Sequence, residues 1–142
     1  MVIVLYDAQG RVQSIITQSD VGLIEMSQKY TEQNVQHVLL ENHDDIDLMN
    51  SYVVDGEVLT RPLVIINGNE NRPLKADSKD KMILTTYPIC SVIVYFNQIE
   101  IARAETNDPL EITSDFPGEF VLIFDPSWPY QMQKIVIEVV AP

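Results

Sequence analysis

Residues 52–62 read Tyr52-Val53-Val54-Asp55-Gly56-Glu57-Val58-Leu59-Thr60-Arg61-Pro62, and this stretch divides the chain. Asp55 and Gly56 stand between two β-prone runs and readily take the positive φ values of a type I′ hairpin turn. The second run stops at Arg61-Pro62, because proline has no N–H to give to a continuing ladder. A hairpin closed by a proline predicts a domain edge after residue 61.

Upstream of that edge the pattern is mixed. Residues 2–6 and 12–17 read as strands joined by the turn Asp7-Ala8-Gln9-Gly10. Ser19 or Asp20 caps a helix whose apolar positions Leu23, Ile24, Met26 and Tyr30 recur at near-helical spacing. Residues 35–41 alternate as a third strand, Asn42-His43-Asp44-Asp45 breaks the pattern, and 46–50 fit one helical turn. Residues 1–61 are therefore expected to form a small α+β module, a helix covering one face of an antiparallel sheet.

Downstream the signals change. Residues 63–66 make a short apolar strand or arm, and 67–81 are polar without periodicity, so 62–81 read as a linker. Strands then recur at short spacing over 82–86, 91–96, 100–104, 110–113, 119–125 and 134–140, separated by turns such as Asn97-Gln98 and Phe116-Pro117-Gly118. Short strands punctuated this way predict an all-β immunoglobulin-like sandwich over 82–142. In the last strand Ile135, Ile137 and Val139 alternate with Val136 and Glu138, and Val136 and Val140 leave the second face partly apolar. Such a strand is covered on both sides or buried against a partner.

Composition narrows the function classes. The 142 residues are 46% hydrophobic, a globular composition, and no run reaches a membrane span. The N-terminus Met1-Val2-Ile3-Val4-Leu5-Tyr6-Asp7 lacks the basic region and cleavage site of a signal peptide, so a soluble, unexported protein is expected. Net charge is −12, with three basic against ten acidic residues in 1–61 and six against eleven in 62–142. Both halves would repel a phosphate backbone, which argues against nucleic-acid binding. Cys90 is the single cysteine, so an intrachain disulfide is impossible and a small buried hydrophobe is its expected role.

Catalytic and metal motifs are missing. Asp44, Asp45 and Asp47 lie beside Asn42 and His43, but lack the mid-loop glycine and terminal glutamate of an EF-hand, so a solvated loop is expected. His37 and His43 have no metal-binding spacing, no serine lies in a Gly-x-Ser-x-Gly elbow, and no phosphate loop surrounds Gly68. The chain is accordingly read as non-enzymatic, with no cofactor and no metal. Trp128, Pro129 and Tyr130 form the candidate interaction loop, a rigid aromatic segment of the kind that supplies binding hot spots. Its competing reading is a lid folded over the core of a small sandwich.

The order of these signals resembles a known family. An acidic turn followed by Tyr52, Val53, Gly56, Arg61 and Pro62, then Phe116-Pro117-Gly118-Glu119-Phe120 with Phe124, Trp128-Pro129-Tyr130 and a final strand, is similar to small virion structural proteins of tailed bacteriophages. The likeness covers residues 45–62 and 82–140. The turn residues Asp55, Gly56, Arg61, Pro62, Pro117 and Gly118 carry it, and it departs at Asn97-Gln98, where the family usually has a glycine. The resemblance implies a tail, baseplate or fibre-associated protein, or else a capsid decoration protein, present in multiple copies in a symmetric assembly and touching other virion proteins. A host-glycan-binding module using Trp128 and Tyr130 is the alternative.

Overall fold

The computed structural model describes residues 1–41, 47 and 49–142, so the Asn42 to Asp45 segment and positions 46 and 48 of the helical turn expected over 46–50 lie outside the described residues. The described residues are mostly β, with one helix among them, and the chain divides into two compact units, Met1–Arg61 and Pro62–Pro142.

In the first unit, β1 (Val2–Tyr6) pairs antiparallel with β2 (Val12–Ile16) on one side and β3 (His37–Leu40) on the other. Between β2 and β3 runs α1 (Asp20–Glu32), begun by Ser19, whose Oγ accepts from Gly22 N at 3.3 Å. The helix buries Leu23 fully and packs on β1 and β3. β4 (Ser51–Val54) and β5 (Glu57–Thr60) form the hairpin read from the sequence, with Val54 opposite Glu57. Val53 N donates to Gly10 O at 2.8 Å, and Val53 joins Val4 and Val12 in a small core, so the hairpin is held against the β1–β2 turn by both a hydrogen bond and apolar contact.

The second unit has two sheets. One orders β10 (Ile99–Glu105), β9 (Ser91–Phe96), β12 (Gly118–Asp125), β13 (Gln133–Val140) and β7 (Leu74–Lys75); the other orders β11 (Leu110–Ile112), β8 (Met82–Tyr87) and β6 (Ile65–Asn67). Every pairing is antiparallel except β7 with β13. Alternate residues of both sheets meet in one core: Met82 and Leu84 of β8, Ile112 of β11, Val92 and Val94 of β9, Phe120, Leu122 and Phe124 of β12, Ile137 and Val139 of β13.

Residues 62–81 are not the linker that their polarity suggested. Val64, Leu74 and Ala76 belong to the core, β6 pairs with β8, and β7 pairs with β13. The polar residues between them fold by their own bonds. Arg72 Nη1 and Nη2 donate to Asp80 Oδ2 and Oδ1 at 2.8 and 3.0 Å, and Lys75 N donates to the same carboxylate at 2.8 Å. Strands of two and three residues are too short to print a period on the sequence, which is why the stretch reads as a loop.

Candidate interaction surfaces

Ser127-Trp128-Pro129-Tyr130 makes a turn in which Tyr130 N donates to Ser127 O at 3.1 Å. Trp128, Pro129 and Tyr130 are all half-buried, and Tyr130 packs against the core of the second unit. The loop is tied to the start of that unit: Gln131 N donates to Pro62 O at 2.9 Å, Leu63 bridges to Gln131 in parallel, and Gln133 Nε2 donates to Val64 O at 2.9 Å. Trp128 thus neither stands clear of the surface nor sinks into the core.

The turn residues lie in two places. Asp55 (φ 50) and Gly56 (φ 78) close the β4–β5 hairpin, and a Cβ on Gly56 would meet nothing within 4 Å, so only the backbone conformation favours glycine there. Arg61 N donates to Asn50 O at 2.6 Å and its guanidinium to Met49 O at 2.8 Å. Pro117 and Gly118 lead into β12, where Gly118 lies against Asn97 of the β9–β10 turn. That turn has two residues, Asn97 (φ 49) and Gln98 (φ 70), with Phe96 opposite Ile99, a type I′ geometry without glycine.

Two arrangements escaped sequence reading, and a third was signalled only in part. The first is Ser27 with His37: Ser27 Oγ lies 2.8 Å from His37 Nε2, while His37 Nδ1 lies 2.8 Å from Val35 O and Tyr30 stacks obliquely on the ring. A carbonyl only accepts, so Nδ1 donates, and in the neutral ring Nε2 accepts from the serine. The reach is that of a nucleophile and base. Ser27 sits within α1, however, where the surrounding N–H groups are committed to the helix ladder and cannot receive an oxyanion. The pair fastens the helix to β3.

The second surrounds Cys90, which is buried. Thr86 Oγ1 donates to Pro88 O at 3.0 Å, so the Thr106 hydroxyl, 2.5 Å away, donates to Thr86 Oγ1. Thr106 Oγ1 also accepts from Cys90 N at 2.8 Å. The thiol is enclosed rather than presented for chemistry. No spacing signal links residues 86, 90 and 106; the strand pairing alone assembles them.

The third is the apolar character of both outer sheet faces. On the three-stranded sheet Ile65 pairs directly with Tyr87, and they are 57% and 68% exposed. On the five-stranded sheet one row runs across four strands, because Val136 stands opposite Val121, Val121 opposite Tyr95 and Tyr95 opposite Glu100. A bulge inserts Ile101, an extra unpaired residue, beside Glu100. The next row reads Arg103, Ile93, Ile123 and Lys134. The second-face apolarity of Val136 and Val140 was the sequence signal for this surface.

Two electrostatic features are local. The Arg72 guanidinium, then Lys75 N, holds the Asp80 carboxyl below its ordinary value, and the N–H groups of Asp80 and Lys79 do the same for Asp77. Arg103 pairs with Glu100 on the outer face, which raises its pKa. No helix of the described residues is long and apolar enough to cross a membrane, and among them no group of three His, Cys, Asp or Glu could hold a metal ion. Comparison with protein families, curated proteins and solved structures found no match to this chain.

Proposed function

We propose that the protein is a non-enzymatic structural adaptor of a tailed-bacteriophage virion, joining tail, baseplate or fibre components, with a small α+β module followed by an immunoglobulin-like sandwich. The observation that carries the adaptor role is the pairing of Ile65 with Tyr87, two large apolar side chains held side by side and mostly exposed. A sheet face in contact with water alone is normally polar, and a cluster of apolar side chains on it marks a contact surface. The virion assignment rests on the order of motifs from Tyr52 to Pro62 and from Phe116 to Tyr130. Assembly in the host cytoplasm, many copies and weak contacts added by avidity follow from that assignment.

The test is mass spectrometry of purified particles. A copy number on the order of three to six fits tail or baseplate symmetry, and hundreds of copies fit capsid decoration instead. Absence of the chain from particles, or turnover of a substrate by the purified chain, overturns the reading.

A further inference from the structure

We infer that Asn67-Gly68 is a self-modifying site. The Asn67 side chain closes on the Gly68 nitrogen and reopens with water as an aspartyl or isoaspartyl residue, which places a carboxylate in the middle of the outer face of the three-stranded sheet. The effect of that charge on a partner rests on the adaptor reading, because the same face carries the Ile65 and Tyr87 pair. Asn67 is the single asparagine of the chain that precedes a glycine. It is the last residue of β6, an edge strand of three residues, and local opening costs least at such a place. Asn67 is exposed, and among the described residues no hydrogen bond holds its side-chain amide. Other asparagines are tied: Asn50 Nδ2 donates to Asp47 Oδ2 at 2.7 Å, Asn69 Oδ1 accepts from Asn71 N at 3.2 Å, and Asn97 Oδ1 accepts from Glu119 N at 3.0 Å.

The fold itself dictates the glycine. Gly68 holds φ 94, and a Cβ there would collide with Ile83 O, so the Asn67 amide always neighbours a peptide nitrogen that no side chain shields. Asparagine is thermally labile, and here the reaction balances without any further reagent than water. Gly68 N attacks Asn67 Cγ; the N–Cγ bond forms, the Cγ–Nδ2 bond breaks, and Nδ2 leaves as ammonia with the proton of the Gly68 N–H. Water then adds to either carbonyl of the ring. Breaking the new bond leaves aspartate, and breaking the original peptide bond leaves isoaspartate, whose backbone is longer by a methylene. Both products add a negative charge to a chain already at −12. Strand residues two apart share a face, so Asn67 lies beside Ile65 and opposite Thr85, between Tyr87 and Ile83 of β8. A carboxylate among these apolar side chains resists the desolvation that covering the face requires.

The experiment incubates the purified full chain at mildly alkaline pH, folded and in urea, and follows each asparagine by peptide mapping in the mass spectrometer and by labelling with isoaspartyl methyltransferase. In the folded chain Asn67 is expected to gain the mass of deamidation and the label about tenfold faster than Asn50, Asn69, Asn71 or Asn97. Asn67→Gln is expected to abolish the label at this site and to leave the urea midpoint unchanged. An Asn67 that stays unmodified in the folded chain overturns the site, and reaction in urea alone assigns the protection to β6. For the face, Asn67→Asp is expected to enter particles about tenfold less than Asn67→Gln. Equal entry of the two variants overturns the effect on the contact and leaves the adaptor reading intact. Absence of every form from particles overturns that reading together with the effect on the contact, and the labelling of the free chain still decides the chemical site.

Discussion

Asn97 and Gly118 interlock at one corner of the second unit. Asn97 N donates to Glu119 O at 2.9 Å, Asn97 Oδ1 accepts from Glu119 N at 3.0 Å, and the asparagine side chain occupies the space where a Cβ on Gly118 would lie. That Cβ would also come within 2.7 Å of Phe96 Cζ. Gly118→Ala is therefore expected to destabilise the second unit by about 1–3 kcal/mol, through displacement of the Asn97 side chain and loss of its bond to Glu119. Urea unfolding followed by the fluorescence of Trp128, the single tryptophan, measures it.

The same corner contains a residue at odds with its backbone. Gln98 holds φ 70 in the two-residue β9–β10 turn, a conformation that costs an ordinary side chain and suits glycine. Gln98→Gly relieves that cost and adds unfolded-state entropy, and the first effect is the larger. A net stabilisation of about 0.5 kcal/mol is expected, read from the urea midpoint.

Thr106→Val keeps the shape of a buried side chain and deletes its hydroxyl. Cys90 N then loses its acceptor in a site without water access, which is expected to cost about 1–3 kcal/mol. The β8–β9 turn should also loosen, so the Cys90 thiol is expected to react faster with a disulfide reagent than in the unaltered protein.

Asp80 makes stability depend on acid. Its folded pKa lies below the ordinary 3.8, so its stabilising effect is complete above about pH 4 and is lost as pH falls through the lower folded value. Asp80→Asn is expected to be less stable than the unaltered chain at pH 7, with the difference shrinking below pH 4. Some acid dependence remains in the variant, because Asp77 is shifted in the same direction by backbone N–H groups. Unfolding midpoints at several pH values between 2 and 7 provide the check.

What the sequence disclosed follows the range of the interactions. Asp55-Gly56 announces its hairpin because the turn conformation selects those residue types locally. Leu74 is opaque, since its strand has two residues and its partner Val139 lies far along the chain. Arg72 and Asp80 likewise sit in a run that composition alone classes as loop, although their bidentate pairing orders it. For the candidate surfaces, Val136 signalled an apolar second face, whereas the Ile65 and Tyr87 pair depends on a register between segments that no local pattern reveals. Trp128 could be read as lid or platform because burial is decided by packing, and the loop is in fact half-buried.

The bond from Gln131 N to Pro62 O and the parallel bridge between Leu63 and Gln131 give the second unit a mechanical character. Tension entering at Pro62 and leaving past β13 pulls the parallel segments at Leu63 and Gln131 in opposite directions, and a second parallel contact joins β7 to the far end of β13. Hydrogen bonds loaded in that way must shear together instead of unzipping one at a time. Resistance to forced unfolding is set by the unfolding barrier, so this arrangement suits a unit that carries load between its two ends.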